Sequence, residues 1–118
     1  MTIQDIKSVG IIGAGQMGSG IAHVSSIAGF DVHMVDVNQD QLDTALATIK
    51  KNMQRQASKG KISESDIATA LGRIKNSQEL ESLSDCDVVI EAATENEEIK
   101  KDIFRKVCPL MKPEAILC

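Results

Sequence analysis

The sequence predicts an α/β domain, a parallel sheet covered on both faces by helices. Three observations carry this. Short apolar segments of strand length alternate with longer segments of helical period, the order that builds parallel sheets. The segment Asp31–Asp36 is apolar nearly throughout, as suits a strand buried on both faces. A turn containing Gly13, Gly15 and Gly18 stands between the first strand and the first helix.

The elements follow in order. The first strand is expected at Ser8–Ile12. In the helix after it, Met17, Ile21, Val24 and Ile27 recur at i, i+4, i+7 and i+10 as one apolar stripe, and Gly29 stands where a C-terminal cap belongs. After the second strand, Asn38 reads as an N-cap with Gln41 as its capping-box partner. That helix runs to about Ser58 with Leu42, Ala45, Leu46, Ile49 and Met53 on one face. Lys59-Gly60-Lys61 breaks it. A shorter helix starts at Ser63, with Asp66 spaced to close back on the cap, and ends near Gly72. This helical hairpin is an insertion between strands two and three.

Strand three, near Arg73–Asn76, is polar enough for a sheet edge. The acidic stretch Glu79–Asp87 reads as a solvated connection, and Asp87–Ala93 as a buried fourth strand. Glu97 and Glu98 then open a helix that Arg105 and Lys106 close, matching the helix dipole at both ends, and Pro109 stops it. A fifth strand begins near Glu114. Because the chain ends inside that strand, residues 1–118 are expected to be one domain, the N-terminal part of a longer protein.

Composition excludes several classes. A net charge of −4 argues against nucleic-acid and anionic-membrane surfaces, and no apolar run approaches the ~18 residues a membrane span needs. The first residues lack the apolar core of a signal peptide, so the cytoplasm is expected. Cys86, Cys108 and Cys118 are odd in number and widely spaced, which predicts buried or half-buried free thiols. Two histidines without ligand spacing predict no metal site.

The chemistry lies in the glycine turn. Ser8–Gly18 places G-x-G-x-x-G after an apolar strand and at a helix start, the fingerprint of dinucleotide binding. Gly13 serves the tight turn, Gly15 admits a pyrophosphate close to the backbone, and Gly18 lets the helix pack tightly. Ala14, Gln16 and Met17 complete the cradle at a helix N-terminus, where free N–H groups face the phosphates. Asp36 follows Gly15 by 21 residues, at the end of the second strand. A carboxylate there accepts from the adenosine ribose hydroxyls and repels a 2′-phosphate, favouring NAD over NADP. With no Trp or Tyr, an adenine pocket has to be mainly aliphatic.

At Val9–Ala22, Asp36, Val88–Asn96 and Lys100 the chain resembles the 3-hydroxyacyl-CoA dehydrogenase family, especially its bacterial 3-hydroxybutyryl-CoA members, over essentially its whole length. The resemblance implies a Rossmann-type fold, with strand order 3-2-1-4-5, and transfer of a hydride between the C3 hydroxyl of an acyl-CoA and NAD. It implies that Gly13–Gly18 hold the pyrophosphate, that Asp36 holds the ribose, and that Glu95 and Lys100 contact the cofactor near its nicotinamide end. Lys59 corresponds to a position near the phosphorylated end of CoA, while Asn52 departs from the serine the family can carry there. The family's catalytic His–Glu pair and its helical, dimer-forming second domain have no counterpart in residues 1–118. No catalytic residue is therefore assigned, the fragment is expected to be inactive, and homo-oligomers are expected only through the missing part.

Two rival readings are a β-hydroxyacid dehydrogenase of the 6-phosphogluconate type, which also uses a Gly-x-Met-Gly turn, and a non-enzymatic, crystallin-like NAD-binding protein. His23 and His33 show no orienting carboxylate in sequence and read as structural. Glu91, inside an apolar strand, reads as bonded to backbone, and Ile99, Ile103 and Val107 read as core.

Overall fold

A computed structural model describes residues 6–93, 96–113 and 115–117. The elements are β1 (Ser8–Ile12), α1 (Gln16–Ala28), β2 (Asp31–Val35), α2 (Gln39–Ser58), α3 (Glu64–Gly72), β3 (Ile74–Ser77), β4 (Val88–Glu91), α4 (Glu97–Val107) and β5 (Ile116–Leu117). All four strand pairings are parallel, and the order is β3-β2-β1-β4-β5. The expected topology is the observed one.

The two-residue period of the strands divides the core. Val9, Ile11, Val32 and Met34 face a layer built by α1, α2 and α3, where Ala22, Leu42, Ala45, Ile49, Met53, Ile67 and Ala70 are buried. Ile12, Val35 and Val89 face the other way, onto Leu83, Cys86 and Val107. Each fully buried Ile, Leu or Met stabilises the fold by about 1.5–3 kcal/mol. Caps set the helix ends. Asn38 Oδ1 accepts from the N–H groups of Asp40 and Gln41, and Ser63 and Asp66 form a reciprocal capping box. The Ser63 N–H holds the Asp66 carboxyl below its ordinary range. Gly29, at φ +106°, closes α1 in the left-handed conformation that glycine adopts without strain. Arg73 then donates to Ser26 O at 2.6 Å across the end of that helix.

Several expectations need correction. Ile99, read as core, is 49% exposed; of its stripe Val107 is fully buried and Ile103 partly so. Only half of the α1 stripe faces the core: Ile21 and Ile27 pack against it, but Met17 and Val24 are 58% and 69% exposed, while Gly18, Ser19, Ala22 and Ser26 are buried. The first turn of the helix lies so close to the end of β1 that a Cβ on Gly18 would be 1.9 Å from Gly13 O, and small residues fill its fully buried positions. The stretch after β3 is not merely solvated, because Leu83, Cys86 and Asp87 are buried beneath β1 and β4. A side chain on Gly10 would come within 2.6 Å of Leu83 Cδ2, so β1 gives up volume to admit it. Cys108 is exposed; Cys86 is buried, and burial, with the charges of Asp87 and Asp85, pushes its thiol up to about 11. Cys118 lies outside the described residues.

Asp87 is the polar hub of this second layer. Its carboxylate accepts from the N–H of Lys7 at 2.7 Å, from the N–H of Ser8 at 3.1 Å and from Lys112 Nζ. These donors, Lys112 first, hold its carboxyl down at about 2. An unfolded aspartate titrates near ~3.9, so the stability from Asp87 is present above that pH and is lost as pH falls toward about 2. We predict that Asp87→Asn lowers stability at pH 7 and flattens the acid limb of a urea-denaturation series between about pH 4 and pH 2. An unchanged acid limb would contradict this.

Packing at the first turn gives a second prediction. A Cβ on Gly18 would lie 1.9 Å from Gly13 O, whereas one on Gly20, two residues along the same helix, meets nothing within 4 Å. Gly18→Ala is expected to cost at least about 2 kcal/mol, and Gly20→Ala to be neutral or stabilising by about 0.5–1 kcal/mol. Urea midpoints of the two variants distinguish them.

Candidate functional site

The strands end together at their carboxyl edge, and β1 separates the side that continues to β2 from the side that continues to β4. This is the switch point where open α/β sheets hold ligands. Gly13, at φ +104°, turns the chain out of β1 there; its N–H donates to Val35 O at 2.8 Å, and Ala93 closes against it. A Cβ on Gly13 would stand 2.7 Å from the Ala93 backbone, so no other residue fits.

Asp36 locks this turn to β2. Its Oδ2 accepts from the Ala14 N–H and its Oδ1 from the Asn38 N–H, each at 2.9 Å. Both oxygens keep a further lone pair for a ligand hydroxyl. The turn and the acid are thus brought together as the spacing predicts, in a direct bond that the spacing does not reveal.

The start of α1 differs from the other helix starts among the described residues. Asn38, Ser63 and Asn96 cap α2, α3 and α4 with side-chain oxygens, but Gly15 at the N-cap of α1 offers none. No acidic residue stands in its first turn either. A Cβ added to Gly15 would meet nothing within 4 Å. The first and third glycines are therefore required by the protein's own packing, and the second leaves space that protein atoms do not use. Uncapped N–H groups beside that space suit an anion.

Two cavities flank the turn. One, of about 220 Å³, lies between the ends of β1, β2 and β4; its walls are Ile12, Val35, Val37, Leu80 and Ile103, with Asp36 among them. Its walls have the aliphatic character expected of an adenine pocket in a chain without Trp or Tyr. The other, of about 580 Å³, starts at Ala14, Gly15 and Gln16 and runs between α1 and α2. Its α2 wall is polar: Gln41, Thr44, Thr48 and Asn52 follow one another at helical spacing. Lys59 caps the same helix seven residues beyond Asn52, two turns along the same face. It is exposed, as is Lys61.

The remaining residues divide plainly. Lys100 is half-buried in the first turn of α4, above the carboxyl edge, whereas Glu95 lies outside the described residues. His23 Nε2 meets Gln56 Oε1 at 2.8 Å, joining α1 to α2 along the larger cavity with no carboxylate partner. His33 pairs in register with Gly10 and Lys75 inside the sheet. Glu91 is buried, and its Oε2 accepts from the Ala93 N–H, which shapes the loop that closes on Gly13. No group of residues suited to a metal ion occurs among the described residues. No helix among them is long and apolar enough to cross a membrane. Gln78 and Lys106, which complete the smaller cavity, come from a loop and a helix end without any shared sequence pattern. The polar stripe of α2 was legible in its spacing.

Comparison with known proteins bears on the rival dehydrogenase readings. The profile of the family described as 3-hydroxyacyl-CoA dehydrogenase, NAD binding domain, matches residues 8–118. The chain belongs to this family. A 3-hydroxybutyryl-CoA dehydrogenase of Bradyrhizobium diazoefficiens is 53% identical over 112 residues, which cover 95% of this chain and 38% of that protein. A probable 3-hydroxybutyryl-CoA dehydrogenase of Bacillus subtilis is 42% identical over 113 residues, covering 96% and 39%. The crystal structure of (S)-3-hydroxybutyryl-CoA dehydrogenase from Ralstonia eutropha superposes with a TM-score of 0.92 at 39% identity, covering 96% of this chain and 40% of that one. The chain thus spans about two-fifths of the length of these relatives. As an NAD-binding domain of this family, it carries the features NAD needs: an uncapped helix start, an open glycine, an aliphatic pocket and an acid at its edge.

Gly15 separates binding from folding. Its φ of −79° is open to any residue, so Gly15→Ala is expected to leave the urea midpoint within about 0.5 kcal/mol of wild type. The same change is expected to weaken NADH at least about tenfold by fluorescence titration, because its methyl takes the anion's space. Equal NADH affinity in both proteins would contradict the assignment.

Proposed function

We propose that this chain is the cofactor-binding part of an enzyme that moves a hydride between C3 of a 3-hydroxyacyl-CoA, 3-hydroxybutyryl-CoA in particular, and NAD. The observation that carries this is the pairing of the open, uncapped glycine turn with Asp36, in a chain of this family. When bound, NAD supplies the hydride acceptor. The N–H groups from Gly15 to Gly18, with Ala14, Gln16 and Met17 around them, orient its pyrophosphate. Asp36 accepts from the adenosine ribose hydroxyls and repels a 2′-phosphate. Glu95 and Lys100, on the segment after β4, contact the nicotinamide half.

The acyl-CoA lies along the groove between α1 and α2, whose polar wall offers hydroxyl and amide groups to the pantetheine chain. Lys59, and Lys61 beside it, meet the CoA phosphates at the far end, where a mobile ammonium suits a phosphate. Proton transfer from the C3 hydroxyl falls to residues outside this chain, since His23 is engaged by Gln56 and His33 lies within the sheet. Homo-oligomers form through further sequence, and the working site is the cytoplasm, in keeping with free thiols and no disulfide spacing.

Three measurements test this reading. Asp36→Ala is expected to weaken NADH about 10–100-fold and to narrow the preference for NADH over NADPH, since the change removes charged hydrogen bonds and a repulsion. Unchanged affinity would mean the ribose assignment is wrong. Lys59→Ala is expected to weaken coenzyme A several-fold, on the order of 1 kcal/mol, with NADH affinity intact. The 118-residue chain should show no steady oxidation of NADH with acetoacetyl-CoA; turnover would overturn the assignment of proton chemistry to residues outside it.

A further inference from the structure

We propose that Gln78 and Lys106 read the edge of the adenine ring and so select adenine over other purines at the cofactor's far end. The inference rests on the NAD assignment above and adds two residues to it. The smaller cavity has aliphatic walls, suited to the faces of a flat heterocycle, but its lining also holds two polar side chains besides Asp36. Gln78 is exposed in the loop after β3, and Lys106 is exposed in the last turn of α4, three residues beyond Ile103 on the same helical face.

Their hydrogen-bonding capacities are fixed and opposite. Gln78 Nε2 donates to Val37 O at 2.8 Å. A carbonyl only accepts, so this bond sets the amide orientation and leaves Oε1 as an acceptor beside the cavity. Lys106 is a donor only. The pocket therefore offers one acceptor and one donor around an apolar slot. Adenine presents the complement on one edge, an N6 amino donor next to an N1 acceptor. Hypoxanthine presents the reverse, an O6 acceptor next to an N1–H donor. In that case carbonyl oxygen faces Gln78 Oε1, and N1–H faces the Lys106 ammonium. Sites built to bond a polar group reject analogues that leave those bonds unmade.

The test compares NADH with its hypoxanthine analogue, reduced nicotinamide hypoxanthine dinucleotide, by fluorescence titration of the 118-residue chain. Wild type is expected to bind NADH at least about tenfold more tightly. Lys106→Met keeps an unbranched, flexible apolar stem and removes the donor. It is expected to weaken NADH about 5–10-fold while leaving the analogue nearly unchanged, bringing the two affinities together. Gln78→Leu should narrow the ratio in the same direction. Lys106 is exposed and outside the core, and an unchanged urea midpoint for Lys106→Met verifies the fold. Equal affinity of wild type for both dinucleotides would overturn the proposal while leaving NAD binding intact. So would a Lys106→Met change that weakens both ligands equally, the mark of a general charge effect. Failure of wild type to bind either one would overturn the proposal and the NAD reading together.

Discussion

The carbonyl oxygen of Gly13 sits 1.9 Å from where a side chain on Gly18 would begin, and the rest of the site depends on that approach. It brings the first turn of α1 directly onto the end of β1. Because α1 lies this close, its fully buried residues are Gly18, Ser19, Ala22 and Ser26; Ile21 and Ile27 pack at the flanks of the core, and Met17 and Val24 are turned outward. The helix axis then delivers its unpaired N–H groups to the switch point of the sheet. Asp36 secures the arrangement by accepting from the Ala14 N–H, so one carboxylate both orders the turn and faces the ligand pocket.

The three glycines are consequently unlike one another. Gly13 and Gly18 answer to packing, whereas a side chain at Gly15 would meet open space. Substitutions at different positions of one motif are therefore expected to separate stability from binding. The layer on the opposite face has its own organiser. Asp87 gathers donors from the N-terminal segment and from Lys112, tying the beginning of the sheet to the segment before its last strand.

Much of this was legible in the sequence, and particular residues explain where legibility stopped. The alternation of elements announced a parallel sheet, the Rossmann-type reading its strand order, and the polar character of Arg73–Asn76 an edge strand, which Ile74–Ser77 does form. Asn38, Ser63 and Gly29 act over two or three residues, so their caps could be read directly. The outward turn of Met17 and Val24 could not, because periodicity gives a stripe without its direction, and here closeness of packing chose the small residues instead. Asp87 bonds to residues 79 and 80 positions away, and local pattern carries no trace of that. Gln78 and Lys106 meet only because the loop after β3 and the end of α4 border one cavity. Within the site, the turn, Asp36, Lys59 and Lys100 were nameable from motif and resemblance, while their geometry, including the Asp36–Ala14 bond, required the fold.

The central claim is that the uncapped N–H groups of α1 receive the cofactor's pyrophosphate. The direct measurement is an amide-resolved NMR titration of the uniformly 15N-labelled chain with NAD. The account predicts that the largest saturable shifts fall on the amides of Gly15, Gln16, Met17 and Gly18, with smaller ones around Asp36 and Val37, and that the capped starts of α2 and α3 stay still. Saturable binding with the Gly15–Gly18 amides unmoved would contradict it.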